Sequence, residues 1–226
     1  MKKAILIVAG GSGSRMQSEI PKQFMLLAGE PVLMQTIRIF FNHNAAYKIV
    51  VVLPEKQRKY WDDLCRVYRF DYRYHSTVGG ATRFHSVQNG LTLIDDDSVV
   101  AIHDGVRPLV SPVTIERCFD VASQFGNAVP YGIMHESVRI EDSRGNRMID
   151  REQLRIIQTP QTFRAGLIKE AYQQPYNERF TDDALVLESA GHSIHLVEGN
   201  AENIKITTLR DLKIAELLWN TRINNR

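Results

Sequence analysis

The hydrophobic positions of the chain alternate between short continuous runs and stripes at helical spacing. Continuous apolar runs at residues 4–8, 49–53 and 99–102 are typical of strands buried on both faces of a parallel sheet. Between and after them, apolar residues recur every three or four positions, which predicts amphipathic helices. These stripes contain Val32, Leu33, Ile37, Phe40 and Phe41; Trp61, Leu64, Cys65 and Tyr68; Phe84, Val87, Leu91 and Ile94; and Ile115, Cys118, Phe119 and Ala122. The alternation predicts an α/β fold, Rossmann-like, with a mostly parallel sheet and helices on both faces.

The alternation is interrupted between residues 134 and 158. Two short β-rich pieces, residues 137–140 and 154–157, flank the turn-forming sequence Ser143-Arg144-Gly145-Asn146. This pattern predicts an inserted β-arm at about 134–158. Weaker strands are predicted at residues 72–75 and 193–197, and helices at 166–172 and 209–219. Because the sequence has no internal repeat or linker, we expect a single domain over residues 1–226 with a projecting arm.

Composition narrows the function classes. The 226 residues are 43% hydrophobic and 24% charged, with 28 Lys and Arg against 26 Asp and Glu, so the net charge is +2. These values are typical of a globular protein and argue against disorder or a disulfide scaffold. A net charge so close to zero does not indicate the strongly basic surface with which proteins bind nucleic acid or an anionic membrane. Any phosphate must therefore be bound by a local cluster of cations.

The apolar run that follows Lys2 and Lys3 ends at Ala9, and glycines come next. A signal peptide needs roughly 7–15 apolar residues and a membrane span about 20, so we expect a cytoplasmic protein with no membrane partner. Cys65 and Cys118 lie far apart within helical stripes. We interpret them as two buried free thiols.

A glycine-rich loop directly follows the first predicted strand and reads Gly10-Gly11-Ser12-Gly13-Ser14-Arg15-Met16. Glycine lets backbone N–H groups approach an anion closely, because no Cβ intervenes. The loop lacks the Gly-Lys-Ser/Thr of a Walker A motif and the third glycine of a dinucleotide-binding loop. It has instead the cation Arg15, followed by Pro21-Lys22-Gln23. Such a loop suits a triphosphate and the anionic transition state of transfer at phosphorus, although a surface turn with solvated charges is the alternative.

Three further segments have polar residues where a ligand could bind. His103-Asp104-Gly105-Val106-Arg107-Pro108 ends a buried strand, where open α/β sheets bind ligands. Asp104 could hold Mg²⁺ or a ribose hydroxyl, or cap a turn, whereas His103 is interpreted as a hydrogen-bonded structural residue. Gly79-Gly80-Ala81-Thr82 opens a helix that could face a base or phosphate, or could simply be capped by Thr82. Before the last helix, Asn203 could ligate or orient and Lys205 could meet a phosphate.

The motifs taken together resemble the cytidylyltransferases that activate polyol phosphates. The resemblance extends from residue 4 to about 215, with the motifs in family order: Ala9-Gly10-Gly11-x-Gly13-x-Arg15-Met16, Pro21-Lys22-Gln23, Gly79-Gly80-x-x-Arg83-x-x-Ser86, His103-Asp104-Gly105-x-Arg107-Pro108, Asp150-Arg151, Thr159-Pro160-Gln161, Thr181-Asp182-Asp183 and Asn203-Ile204-Lys205. It implies a fold of the nucleotide-diphospho-sugar transferase type. It also implies transfer of CMP from CTP to a polyol phosphate with Mg²⁺, and a homodimer formed through the arm.

The resemblance assigns roles residue by residue. Arg15 and Lys22 match the catalytic pair that neutralises the transition state. Residues matching those that hold CTP are Ala9, Gly10, Gly11, Gly80, Arg83, Ser86 and Asp104. Arg151 and Lys205 match residues that bind the polyol phosphate, and Ser137 and Thr181 are weaker candidates for the same role. Asp104 and Asn203 are the candidate metal ligands.

The acceptor is expected to be methylerythritol phosphate in non-mevalonate isoprenoid synthesis, with ribitol 5-phosphate as the alternative. Val8-Ala9-Gly10-Gly11 is nearer the ribitol-phosphate relatives, and Ser137 replaces a commoner Thr. A non-catalytic nucleotide-binding module is the alternative from another class. It would need the glycine loop but not the pair Arg15 and Lys22. A glycosyltransferase would carry an Asp-x-Asp motif, which Asp104 does not begin.

Overall fold

A computed structural model describes residues 1–10 and 20–224 of the chain, so Gly11 and Arg15 lie outside the described residues. The central sheet has eight strands, which are β1 (Lys2–Val8), β4 (Lys48–Leu53), β5 (His75–Val78), β6 (Ser98–Asp104), β7 (Asn127–Ile133), β10 (Arg155–Ile157), β11 (Gln161–Arg164) and β12 (Leu196–Glu198). Their order is β10-β7-β11-β6-β1-β4-β5, and β12 pairs with β7. A small pair, β2 (Leu26–Leu27) and β3 (Glu30–Pro31), leads into the first helix.

Helices cover both faces of this sheet, as the sequence predicts. They are α1 (Val32–His43), α2 (Glu55–Val67), α3 (Arg83–Leu91), α4 (Pro112–Phe125), α5 (Ala165–Ala171), α6 (Asp183–Ser189) and α7 (Leu209–Asn224). Because side chains alternate along a strand, Ile5 and Ile7 pack with α1, α2 and α4, whereas Leu6 and Val8 pack with α3, α5 and α6. Burial on both faces explains why residues 4–8 of β1 are continuously apolar. No helix in residues 1–10 and 20–224 combines the length and hydropathy that a membrane span requires.

The edge of the sheet where β1 and β6 end is the place where the predicted ligand-binding segments meet. The two strands are parallel and in register, with Val8 opposite Asp104. The Gly105 N–H donates to the Val8 carbonyl at 2.9 Å, so the two chain segments leave the sheet side by side. A Cβ on Gly105 would lie 3.1 Å from the Ala9 Cβ, which shows how tightly the segments pack.

The arm is a separate two-stranded hairpin of β8 (Val138–Asp142) and β9 (Gly145–Ile149) around the predicted turn. The inserted hairpin is thus present as predicted, but the prediction that residues 154–157 form its second strand is wrong. The second strand is β9, and residues 155–157 pair with β7 in the central sheet instead.

Two strands of the sheet have no counterpart in the sequence prediction. The first, β7, includes Pro130 and Gly132, which are depleted in strands. The second, β11, is short and polar, and it lies antiparallel between β6 and β7. Cys118 is fully buried as expected, whereas Cys65 is only partly buried and lies 3.6 Å from the Tyr74 hydroxyl oxygen.

Candidate active site

A cavity of about 110 Å³ opens at the edge of the sheet where β1 and β6 end. It is lined by Val8, Ala9, Gly10, Lys22, Gln23, Arg83, Ser86, Asp104, Val106 and Lys205. These residues come from the end of β1, the short 3₁₀ helix Lys22–Phe24, the start of α3, the end of β6 and the segment before α7. Most of the predicted nucleotide-binding residues that the structure describes thus line one cavity, although they are scattered along the chain.

Asp104 is the electrostatic centre of this cavity. Its Oδ2 accepts hydrogen bonds from Lys205 Nζ at 3.0 Å and Arg107 Nε at 3.1 Å, and its Oδ1 lies 3.9 Å from Arg83 Nε. Burial opposes ionisation, but the charges of Lys205, Arg83 and Arg107 prevail and hold the pKa of Asp104 well below its usual range. Asp104 is therefore a carboxylate surrounded by three cations.

Arg83 is fixed from the other side by Asp183, at the start of α6. The guanidinium donates to both carboxylate oxygens of Asp183, at 2.8 and 2.6 Å, and the Tyr172 hydroxyl donates to Oδ1 at 2.6 Å. Asp183 is fully buried, so this bidentate pair sets the direction of Arg83 firmly. Sequence reasoning gave Asp183 and Arg107 no role. Both residues belong to the motifs quoted above, but Arg83, the partner of Asp183, lies 100 residues earlier in the chain.

Thr82 caps the first turn of α3. Its hydroxyl accepts from the His85 N–H, while the Gly80 N–H donates to Ser86 Oγ at 3.1 Å. Gly80 has no room for a side chain, since a Cβ there would lie 2.3 Å from the Cβ of His85. The capped turn holds Ser86 and Arg83 at the cavity wall.

His103 lies beneath Asp104 and is completely buried. Thr159 Oγ1 accepts from the Asp104 N–H at 3.1 Å, so its own hydrogen is free to bond His103 Nδ1 at 2.9 Å. His103 Nε2 then donates to the Arg107 carbonyl at 3.0 Å. This arrangement accommodates a neutral imidazole with its proton on Nε2, and burial favours that form by lowering the pKa of His103 to about 4. His103 is a hydrogen-bonded structural residue, as predicted.

Gly80 does not line this cavity, although its N–H bonds Ser86, which does. Four further predicted residues lie away from the cavity. Ser137 and Arg151 are exposed at the arm, where Arg151 donates to the His135 carbonyl at 2.8 Å. Thr181 is exposed just before α6. Asn203 is fully buried, and its amide donates to the Thr159 carbonyl at 2.7 Å.

A second cavity of about 520 Å³ adjoins the first, and Lys205 lines both. Arg107, His135 and Asn203 also line it. Through His135, the base of the arm reaches the wall of this second cavity.

The described residues contain no group of three or more His, Cys, Asp or Glu side chains placed to hold a metal ion. Asp104 is the carboxylate that lines the first cavity, and its charge is already balanced by three cations. Asn203 offers an amide oxygen, Oδ1, which is buried without a hydrogen-bond partner among the described residues. Mg²⁺ commonly takes only one or two carboxylates and several substrate phosphate oxygens. A magnesium ion in this cavity would therefore be held mainly by substrate phosphate oxygens, and Asp104 is the lining carboxylate that could contribute to its coordination.

Comparison with known proteins identifies the family. The family model described as "IspD: 2-C-methyl-D-erythritol 4-phosphate cytidylyltransferase" matches residues 3–221. A relative with this enzyme name from Phocaeicola vulgatus is 47% identical over 218 residues, which cover 96% of this chain and 100% of the relative. One from Porphyromonas gingivalis is 51% identical and covers 96% of this chain and 97% of its own.

Solved structures agree with the sequence comparison. The structure of 4-diphosphocytidyl-2C-methyl-D-erythritol synthase from Anaerococcus prevotii has a TM-score of 0.81 at 26% identity, covering 97% of this chain and 96% of its own. The 2-C-methyl-D-erythritol 4-phosphate cytidylyltransferase of Francisella tularensis has a TM-score of 0.78 at 30% identity. The match covers 96% of this chain and 99% of that one. The conclusion is that this chain belongs to the 2-C-methyl-D-erythritol 4-phosphate cytidylyltransferase family.

Proposed function

We propose that the chain transfers CMP from CTP to 2-C-methyl-D-erythritol 4-phosphate, releasing pyrophosphate, in the non-mevalonate synthesis of isoprenoid precursors. The observation that carries this function is that Lys22, Arg83, Asp104 and Lys205 line one cavity. Cations grouped in this way suit a reaction in which negative charge is redistributed over phosphate oxygens. The relatives reported above are named for methylerythritol phosphate, which favours this acceptor over ribitol phosphate.

In the proposed reaction, a phosphate oxygen of the acceptor attacks the α-phosphorus of CTP in line. The new P–O bond forms as the bond from the α-phosphorus to the bridging oxygen breaks, and that electron pair leaves with pyrophosphate. No covalent enzyme intermediate is required. Lys22 stabilises the charge that develops on the transferring phosphoryl group. Arg15 is proposed as its partner, although it lies outside the described residues.

The nucleotide is proposed to lie along the end of β1 and the start of α3. Ala9 and Gly10 present backbone to the first cavity (the nucleotide cavity), and Arg83 and Ser86 line it as well. Gly80 is proposed to contribute from behind this wall, where its N–H donates to Ser86 Oγ. Gly11 belongs to the same proposed loop but lies outside the described residues. Asp104 orients the ribose or the metal while keeping Lys205 and Arg107 in place.

Magnesium is proposed as the cofactor, with Asp104 as its protein ligand and Asn203 as a weaker candidate. When bound with the nucleotide, the ion supplies charge neutralisation of the triphosphate. Lys22 and Arg83 provide further positive charge from the chain itself.

The acceptor phosphate is proposed to bind Lys205 and an Arg151 delivered by the arm of a second copy, with Ser137 and Thr181 as further contacts. In this chain Arg151 is exposed and does not line the nucleotide cavity. The arm and its neighbouring strands also expose apolar side chains, which are Ile133, Ile140, Met148, Ile156 and Ile157. A homodimer would cover these residues and add Arg151 to the partner's site. We further propose a cytoplasmic enzyme, because the reaction consumes CTP.

Pyrophosphate release by the purified protein with CTP and Mg²⁺ tests the function. We expect faster turnover with methylerythritol phosphate than with ribitol 5-phosphate at equal concentration. Faster turnover with ribitol 5-phosphate would reassign the acceptor. CTP binding without turnover on either acceptor would identify a nucleotide-binding module instead.

A further inference from the structure

Gln23 connects the segment that carries Lys22 to the end of β1. Its Nε2 donates to the Ala9 carbonyl at 2.9 Å and to Gln57 Oε1 at 2.5 Å, and the side chain is 1% exposed. Ala9 is fixed in turn, because its N–H donates to the Val52 carbonyl at 2.9 Å. One amide nitrogen thus links three elements, namely the end of β1, the 3₁₀ helix Lys22–Phe24 and α2.

The residue after Gln23 strengthens the same attachment. Phe24 is 2% exposed, and its ring stacks on Trp61 of α2 with centroids 5.9 Å apart. The Phe24 N–H donates to the Pro21 carbonyl at 2.8 Å, which closes the turn. Lys22 therefore stands on a short turn fixed on its inner side, while its own side chain lines the nucleotide cavity.

We propose that Gln23 is a positioning residue whose carboxamide holds Lys22 at the transferring phosphate by tying the 3₁₀ turn to Ala9 and Gln57. The inference deepens the proposed function, because it depends on Lys22 acting in the transition state. Only a donor can face the Ala9 carbonyl, so the amide nitrogen is required there. A misplacement of about 1 Å in such a group can cost roughly 100-fold in rate.

A double-mutant cycle with Lys22 tests the proposal. Lys22→Ala is expected to lower kcat by about 10²–10³. Gln23→Leu is expected to lower kcat by about 10- to 100-fold, with a change in the KM for CTP of less than about threefold. In the Lys22→Ala background, Gln23→Leu should cause no further loss of kcat. A positioning residue has no effect once the group that it positions is gone.

Gln35→Leu provides a matched control. Gln35 is also buried, and its Nε2 donates to a backbone carbonyl, that of Leu27, at 3.3 Å, but it does not line the nucleotide cavity. We expect it to lower the melting temperature as Gln23→Leu does and to leave kcat within about twofold. If Gln23→Leu does not fold, Gln57→Leu replaces it in the cycle, because it removes one of the two hydrogen bonds of Gln23. This variant should also have no effect on kcat in the Lys22→Ala background.

The outcomes separate the inference from the function. If Gln23→Leu lowers kcat by the same factor with and without Lys22, Gln23 has only a structural role and the inference is overturned. If Lys22→Ala leaves kcat unchanged, the role of Lys22 itself fails.

Discussion

Lys205 Nζ and Arg107 Nε donate to the same carboxylate oxygen of Asp104, at 3.0 and 3.1 Å. Lys205 therefore stands between two cavities with its ammonium group held by Asp104, while Arg107 can keep Asp104 in place without it. Lys205→Ala should raise the KM for methylerythritol phosphate at least about tenfold and change the KM for CTP much less. Steady-state kinetics with each substrate varied in turn measures this. Equal increases in both KM values would place Lys205 on the nucleotide instead.

The lowered pKa of Asp104 predicts a dependence of stability on pH. A carboxyl group whose pKa is depressed by folding stabilises the protein above its ordinary pKa, about 3.9. That stabilisation is lost as the pH falls towards the depressed value in the folded protein. Asp104→Asn should therefore be less stable than the natural protein near pH 6, and the difference should shrink below about pH 4. Urea unfolding at several pH values measures it; a constant difference would contradict the assignment.

Asp183→Ala should destabilise the fold strongly, because it leaves the Arg83 guanidinium without its buried partner. Removing one member of a buried ion pair costs about 3–5 kcal/mol of unfolding free energy. Tyr172→Phe is the matched control, since it removes only the hydroxyl that donates to the same carboxylate. That loss should be about 1 kcal/mol. Denaturant unfolding of both variants checks the ranking, and equal losses would show that the ion pair with Arg83 adds nothing.

His103 should remain neutral throughout the physiological range. Its pKa in the folded protein is about 4, below the ordinary value of about 6.5, so the unfolded chain binds the proton first. Stability from this residue is full above pH 6.5 and declines as the pH falls to about 4, by about 1.4 kcal/mol for each pH unit at most. Nitrogen NMR shifts of the imidazole, assigned with a His103→Gln variant, should show a proton on Nε2 and no titration from pH 8 to 5. A midpoint near 6.5 would refute the buried neutral state.

Mixing two inactive variants tests whether the arm completes a neighbouring site. Lys22→Ala and Arg151→Ala should each be nearly inactive alone. In a mixed dimer with arms exchanged, one site carries both changes and the other carries neither. After complete subunit exchange at equal amounts, about half of the dimers are mixed, and each mixed dimer has one intact site out of two. Activity should therefore recover to about a quarter of the natural level. No recovery after confirmed exchange would show that Arg151 serves its own subunit.

The buried strands and amphipathic helices were predictable because their patterns depend on which faces are covered. Residues 4–8, 49–53 and 99–102 lie in β1, β4 and β6, at the centre of the sheet. The strand expected at 72–75 lies instead at His75–Val78, where it pairs with β4. The short strand β11 was missed because its position comes from tertiary pairing rather than from its own alternation.

For the site, motif order anticipated which segments would meet but not how their charges pair. The convergence of Lys22, Arg83, Asp104 and Lys205 follows from parallel strands ending at one edge. The bidentate contact between Arg83 and Asp183 depends on the tertiary fold bringing the start of α6 to the start of α3, which no local pattern specifies. Gln23 was quoted only as part of a motif, since its hydrogen bonds to Ala9 and Gln57 arise from packing.

The pairing of β7 with β10 bears on how the arm can vary. Ile133 stands opposite Arg155 in an antiparallel register, so the chain leaves the sheet and returns to it at neighbouring points. The hairpin of β8 and β9 is thus inserted between two ends that are already held together. Its length can change by whole residue pairs while the sheet beneath it keeps its spacing. The arm is therefore a replaceable module, whose reach towards another molecule can evolve or be engineered separately from the pocket that does the chemistry.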